Sequence, residues 1–275
     1  MVLERNILVA FNGHRGAYAD EVASILSPKA VSVGCESIED VFRQVADRNA
    51  KYGVVPIENC IAGAVKDNHD LLLYYNINHG IKICREVHYR INHCLLANKN
   101  ATVRTVKRVY AHPQAFAQCI DFLEAHSYKQ TERNDNGTAA AFVHLRGRKD
   151  EAAIAGKTAA QLYCLNVLEE HIANCEYNMT RFLIIGRSNK PPKNGKVSVA
   201  FTCRHKPGVL HACINELRSI NMTMIGSRPT GEKLGKYRFY IDLEGNTQYI
   251  YCALKKMKRH TASMACLGAY RTQAL

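Results

Sequence analysis

The chain has 275 residues, no tryptophan, 47% apolar residues and a formal charge of +13. That length supplies one large or two ordinary domains with a sizeable core. No run of about 18 apolar residues occurs, so no transmembrane helix is expected. The first apolar run, Ile7–Phe11, is ended by Asn12-Gly13 and is too short for a signal-peptide core, so a cytoplasmic chain is expected.

The 11 cysteines form no Cys-x-x-Cys pair and never join the 12 histidines at ligand spacing. They read as reduced thiols used as small hydrophobes, and no metal site or cofactor is expected. The basic clusters Arg104/Lys107/Arg108, Arg146/Arg148/Lys149 and Lys255/Lys256/Lys258/Arg259 are short and mostly at helical spacing. Aromatics are not interleaved with them, which favours solvated helix faces over nucleic-acid binding. A positive field also suits an anionic small molecule.

In chain order, Ile7–Phe11 reads as a strand and Tyr18–Leu26 as a helix with Val22, Ile25 and Leu26 on one face. Ala30–Val33 is a second strand. Ser37-Ile38-Glu39-Asp40 is a capping box, opening a helix with Ile38, Val41, Phe42 and Val45 as its stripe. Gly53-Val54-Val55 reads as a buried strand halted by Pro56. Strands are expected at Ile81–Val87, Ile91–Ala97, Val109–Ala111 and Ala152–Ala155. Helices are expected from Pro113, where proline suits a first turn, and over Thr158–Leu165. This alternation predicts an α/β fold with a largely parallel sheet.

The polar, Pro-rich stretch Arg187–Gly195 reads as a linker. Beyond it, Val197, Val199, Phe201 and Cys203 alternate along a strand. A helix follows Pro207-Gly208, with Leu210, Cys213/Ile214, Leu217 and Ile220 in phase. Strands Met222–Ser227 and Tyr237–Leu243, a helix over Thr247–Arg259 and a strand Met264–Tyr270 complete a ferredoxin-like β-α-β-β-α-β order.

Six motifs in order carry a resemblance. They are Phe11–Tyr18 with its Gly-x-x-Gly turn; Val55-Pro56-Ile57-Glu58-Asn59-Cys60-Ile61-Ala62-Gly63, followed by Asp70-Leu71-Leu72; His112-Pro113-Gln114-Ala115 with Gln118-Cys119; Thr138–Ala141; Ala152–Ala155; and Asn178-Met179-Thr180-Arg181-Phe182. Together they resemble prephenate dehydratase with a C-terminal ACT regulatory domain, over nearly the whole chain. The resemblance implies a two-lobed, periplasmic-binding-protein-like catalytic part over residues 1–186, with a crossover near Asn78 and a return near Val167. It implies a linker over 187–195 and an ACT domain over 196–275. No chorismate mutase segment is expected ahead of the first strand.

The implied reaction converts prephenate to phenylpyruvate with loss of carbon dioxide and water. Thr180 is the implied catalytic hydroxyl, a positioned donor to the leaving hydroxyl. Arg181 supplies a permanent charge. In a regular strand its side chain points away from Thr180, so a structural role competes evenly with a catalytic one. Asn59, Gln114 and Thr138 are neutral donors suited to carboxylates, and Ala19, Cys60 and Phe182 complete the expected substrate set.

The chain departs from the family pattern at His14, usually Pro, at Ala19, usually Ser or Thr, and at Cys60, usually Ser. The last two thin the hydroxyls available to a substrate. The ACT resemblance implies L-phenylalanine as an effector bound near Gly208, Val209, Leu210, Ser227 and Arg228. Gly226 replaces the acidic residue usual at its position. ACT units normally pair side by side, which implies a homodimer or homotetramer. Two alternatives stay open: arogenate as substrate, and a two-lobed sensor that has lost catalysis.

Overall fold

The computed structural model describes residues 7–26, 29–187, 190–232 and 234–274. Ser188 and Asn189 of the expected linker lie outside the described residues. The chain forms two compact units. Among the described residues, one comprises those up to Val65 together with His88–Phe182, and the other Lys66–Val87 and Leu183–Ala274.

The first unit opens with β1 (Ile7–Asn12), α1 (Tyr18–Ile25), β2 (Ala30–Cys35), α2 (Ile38–Ala46), β3 (Tyr52–Asn59) and the short β4 (Gly63–Ala64). The second unit takes α3 (Lys66–His79) and the first part of β5 (Lys82–Arg90). The first unit resumes with β6 (Cys94–Ala97), β7 (Arg108–Ala111), α4 (Pro113–Gln118), α5 (Ile120–Ala125), β8 (Lys129–Glu132), α6 (Asn136–Arg146), β9 (Glu151–Ala155), α7 (Lys157–Leu162), β10 (Asn166–Glu169) and the start of β11 (Met179–Gly186). The second unit ends with β12 (Asn194–Cys203), α8 (Val209–Asn215), β13 (Asn221–Pro229), β14 (Tyr237–Asn246), α9 (Thr247–Met257) and β15 (Thr261–Ala274).

Two sheets build the first unit. In one, β11, β3, β1 and β2 lie in that order, with β4 on β3. The β1–β2 and β1–β3 pairings are parallel. In the other the order is β10-β6-β9-β7-β8. Here β7 pairs in parallel with β8 and β9, whereas β6 is antiparallel to β9 and β10. The second sheet is therefore mixed, while the first keeps the expected parallel pairing around β1. The reason is visible in β9. Ala152 and Ile154 pack into one buried cluster with Leu95, Val109 and Phe116. Ala153 and Ala155 face a second cluster with Tyr110, Ala140 and Val143. A strand covered on both faces is a continuous apolar run whatever the direction of its neighbours, so its sequence is silent on polarity.

The capping box at Ser37 forms as expected, with Asp40 N–H on Ser37 Oγ and Ser37 N–H on the Asp40 carboxylate. Pro113 is the first residue of α4, as expected. Pro56 does not halt β3, which continues to Asn59. Pairing with β1 stops at Val54, so the missing amide proton falls beyond that ladder. The elements α3, β4, β8, α6 and β10 were not anticipated, nor was the break that sets α5 apart from α4.

In the second unit β13, β14, β12, β15 and β5 form one sheet in that order. Val197, Val199 and Phe201 of β12, Ile241 and Leu243 of β14, and Ile250, Leu254 and Met257 of α9 share its core. The β-α-β-β-α-β order of residues 194–274 is ferredoxin-like.

The turn that opens α1 rests against the start of α6. A Cβ on Gly137 would lie 2.6 Å from Arg15 O, 2.8 Å from Ala17 N and 2.8 Å from His14 O. All three are backbone atoms, so no rotamer change relieves the clash. Gly137→Ala is expected to destabilise the protein by about 1–3 kcal/mol. Urea unfolding checks this, and an unchanged midpoint would show that the turn does not rest on α6.

Candidate active site

The site is built where β3 ends and β11 begins. Asn59, the last residue of β3, is 7% exposed. Its Oδ1 accepts the amide protons of Ile61 and Ala62, each at 3.0 Å. The side-chain amine is thereby turned toward the neighbouring strand. It donates to Asn178 Oδ1 at 2.8 Å, Thr180 Oγ1 at 3.0 Å and Met179 O at 3.2 Å. The junction is tied again through the backbone, where Cys60 N–H donates to Met179 O at 3.0 Å.

Buried polar groups extend this contact. Asn178 Nδ2 donates to Gln118 Oε1 at 2.9 Å. His93 Nε2 lies 2.9 Å from the same oxygen. His93 Nδ1 lies 2.9 Å from Tyr18 Oη, which is 3.0 Å from Asn92 O. Asn178 is fully buried and His93 is 2% exposed. Burial lowers the His93 pKa, and the hydrogen bond to Gln118 opposes this less strongly. Burial also raises the Tyr18 pKa well above its ordinary value, with the Glu21 charge adding to it.

A cavity of about 460 Å³ opens onto these groups. Its walls include Asn12, Ala19, Glu58, Asn59, His112, Gln114, Gln118, Asp135, Thr180 and Phe182. Two helix starts contribute. His112 caps α4, its Nδ1 accepting the Gln114 amide proton at 3.1 Å, so Nε2 carries the proton of the neutral ring. Desolvation lowers the His112 pKa against the opposing charge of Asp135. Asp135 caps α6, accepting the Thr138 amide proton at 2.8 Å. No Lys or Arg is among the described lining residues.

Thr180, Asn59, Phe182, Gln114 and Ala19 all line this cavity. Ala19 brings no hydroxyl to it. Arg181 is not on its wall. Its guanidinium lies 3.6 Å from the carboxylate of Glu58, which does line the cavity. Cys60 is likewise off the wall. It accepts the Met179 amide proton at 3.1 Å and donates to Tyr177 O at 3.2 Å, so it buttresses the loop before β11. Thr138 donates its hydroxyl to Asp135 at 2.6 Å and lines an adjoining recess of about 890 Å³ with His14 and Arg15. The two spaces share Asn12, Asn134 and Asp135.

Tyr18, His93 and Gln118 on the wall, and Asn178 bonded to Gln118, are among the residues that sequence reasoning did not single out as site residues. Asn178 carried a signal, since it stands two residues before Thr180 and strand periodicity puts both on one face. Gln118 and His93 carried little, each being one polar residue in an apolar run.

The expected effector residues lie in the second unit. Gly208 has φ +74° and caps the seven-residue α8 without a side chain. Val209 and Leu210 line a recess of about 500 Å³ with Arg204, Lys206, Lys236 and Phe239. Ser227 stands opposite Phe239 in the β13–β14 ladder. Arg228 is committed to Asp70 at 2.8 Å and Asp67 at 3.0 Å.

The fold and site define a mixed α/β protein whose polar, amide-lined cavity surrounds one buried threonine hydroxyl. Residues 9–190 match the family described as prephenate dehydratase. A relative named prephenate dehydratase, from Methanocaldococcus jannaschii, is 42% identical over 247 residues, 86% of each chain. Arogenate dehydratase 2 of Petunia hybrida is 35% identical, over 95% of this chain and 71% of the relative. A solved structure titled GqqA, a novel type of quorum quenching acylases, superposes with a TM-score of 0.87 at 28% identity, over 97% of this chain and 98% of that one. A prephenate dehydratase from Arthrobacter aurescens in complex with L-Phe superposes with a TM-score of 0.84 at 27% identity, over 96% and 90%. The chain belongs to the prephenate dehydratase family. Among the described residues no helix is long and apolar enough to cross a membrane.

The lowered His93 pKa has a consequence for stability. Between the folded value and the ordinary 6.5, the unfolded chain binds more protons than the folded one. Stability therefore rises with pH through that window and is lost on acidification below about 6.5. Buried Glu21, raised above its ordinary 4.5, acts in the opposite sense, its contribution being lost as pH rises through the raised value. Comparing urea midpoints at about pH 7.5 and 5.5 isolates His93. The wild type is expected to lose more stability on acidification than His93→Gln, and equal losses would contradict a depressed imidazole.

Proposed function

We propose that the protein is a prephenate dehydratase, converting prephenate to phenylpyruvate, carbon dioxide and water in L-phenylalanine synthesis. The observation that carries the catalytic assignment is the state of the Thr180 hydroxyl. One lone pair is filled by the Asn59 amine, so the hydroxyl proton is available to the cavity.

The reaction breaks the ring C–O bond and the bond from the ring to its carboxylate. The electron pair of the second bond completes the aromatic ring as carbon dioxide departs. The leaving hydroxyl takes up one proton and departs as water. A threonine hydroxyl is too weak an acid to ionise, so it acts as a donor aimed at the oxygen where charge develops. Gln114 serves a substrate carboxylate with a neutral donor, Asn59 acts by holding Thr180, and Phe182 forms the apolar wall. Thr138 and Cys60 act through Asp135 and the 177–179 loop rather than by direct contact. Arg181 acts at a distance, through its pairing with Glu58.

In this reading residues 1–186 form the catalytic part, 187–195 the linker and 196–275 an ACT regulatory domain, working as a homodimer or homotetramer in the cytoplasm. L-Phenylalanine is the proposed effector, supported by the L-Phe complex of the Arthrobacter aurescens protein. Gly208, Val209, Leu210 and Ser227 are the proposed contacts, while the carboxylates already held by Arg228 set the tilt of its strand. Arogenate differs from prephenate by an amine in place of the side-chain keto group, and the relative from Petunia hybrida carries that name.

Purified protein is expected to form phenylpyruvate from prephenate, with kcat for Thr180→Ala lower by about a hundred-fold or more. A wild type no faster than buffer would overturn the assignment, and faster turnover of arogenate would transfer it to that substrate. Calorimetry with millimolar L-phenylalanine is expected to show saturable heat and a change in catalytic rate. Absence of both would remove the effector.

A further inference from the structure

Hydrogen-bond directions from Asn59 to His93 Nε2 are fixed by two donors that cannot be reversed. The amides of Ile61 and Ala62 carry hydrogen only, so the group 3.0 Å from each is the oxygen of Asn59. Asn59 Nδ2 is then a donor, and the Asn178 atom 2.8 Å away is an acceptor, Oδ1. The other terminus of Asn178 is Nδ2, which donates to Gln118 Oε1 at 2.9 Å. That oxygen accepts again from His93 at 2.9 Å, so His93 Nε2 bears a proton. Gln118 Nε2 points back toward Asn59 Oδ1 at 3.5 Å, consistent with the same assignment. In the neutral ring, favoured by burial, Nδ1 is left as an acceptor and shares the single Tyr18 hydroxyl proton with Asn92 O, 3.0 Å from Tyr18 Oη. The edge contact of the two rings, centroids 5.6 Å apart, holds that geometry.

Resting on the prephenate dehydratase reading, we infer that His93 is a positioning residue, held as the Nε2–H tautomer by the Gln118 oxygen, so that its proton helps to fix the Gln118 amide and, through Asn178 and Asn59, leaves the Thr180 proton free for the substrate. His93 works as a neutral donor. It neither gives up nor accepts a proton during turnover.

Remove the donor, and Asn178 Nδ2 is the one remaining contact in this chain on the Gln118 oxygen, which makes rotation of that amide easier. Its amine would then oppose Asn178 Nδ2, two donors facing each other. Relief requires Asn178 to rotate, which sets its Nδ2 against Asn59 Nδ2. Asn59 cannot follow, because the Ile61 and Ala62 amides hold its oxygen. The conflict therefore falls at the Asn59–Thr180 end, where the reaction is served. Binding groups elsewhere on the cavity wall, such as Gln114, are not in this chain of contacts.

Three side chains at position 93 separate this role from the alternatives. Glutamine places an amide donor near the position of Nε2 but cannot titrate. Phenylalanine fills the space without a donor. His93→Phe is expected to lower kcat by about ten- to a hundred-fold with KM changed by less than about three-fold, and His93→Gln to recover most of the loss. Equal losses in both variants would overturn the inference in favour of acid–base chemistry, and wild-type kcat in His93→Phe would overturn it in favour of space filling. Long-range 15N–1H spectra of labelled wild-type protein supply a readout that does not depend on turnover. They are expected to show the neutral Nε2–H tautomer for His93, with the signal assigned by its loss in His93→Gln. A neutral Nδ1–H ring or an imidazolium at neutral pH would overturn the inference directly. An inactive wild type with the Nε2–H signal would instead overturn the functional reading and with it the catalytic half of this inference.

Discussion

The arrangement of the site depends on one constraint, the immobility of the Asn59 amide. Two backbone N–H groups in the turn after β3 hold its oxygen, so its amine faces β11. The turn is short and its two donors are parts of the main chain, so this orientation is as rigid as the strand end itself. Each downstream group inherits a direction from it. The buried position raises the stakes, because a misplaced donor there has no water to fall back on and costs about 1–3 kcal/mol.

The same logic explains how distant segments of sequence converge. Cys60 ties the 177–179 loop from its own side through one bond given and one received. His112 and Asp135 satisfy the first turns of α4 and α6, which bring Gln114 and Asn136 to the cavity wall. Gly137 allows the Arg15–Ala17 backbone to lie almost on α6, so the two ends of the cavity are kept in register by a missing side chain. In the second unit a different device serves a similar purpose. The fully buried Glu86 carboxylate meets Lys196 Nζ at 2.6 Å, tying β5 to β12 by a pair that neither strand tolerates losing singly.

Sequence periodicity made the ferredoxin-like segment legible, because its core positions on β12, β14 and α9 follow two-residue and 3.6-residue spacing. Elsewhere the signal failed for identifiable reasons. β8 is Lys-Gln-Thr-Glu and mostly exposed, so it offers no alternation to detect. α6 begins Asn-Gly and is built of small residues, and its start is marked by Asp135 rather than by an apolar stripe. β3 runs through a proline because only its first half pairs with β1. At the site, Asn59 and Thr180 stood out by motif, whereas the side chains that orient them lie 59 to 121 residues away along the chain from Asn59. Strand alternation puts Arg181 and Thr180 on opposite faces, and the Arg181 guanidinium meets the cavity-wall residue Glu58.

The buried amides also decide what the network does not do. A proton moving from Tyr18 toward Thr180 would have to cross Gln118, Asn178 and Asn59. A primary amide passes a proton on only by becoming an imidic acid, so three in series form a barrier rather than a relay. His93 meets that barrier through its Nε2–H, and its depressed pKa further disfavours a stored proton. The proton that leaves with the ring hydroxyl must therefore arrive from the cavity side. Solvent reaching the cavity supplies it on that side. The buried chain holds a fixed polarity, and its contribution is electrostatic preorganisation of the Thr180 hydroxyl, with no rearrangement required as charge develops.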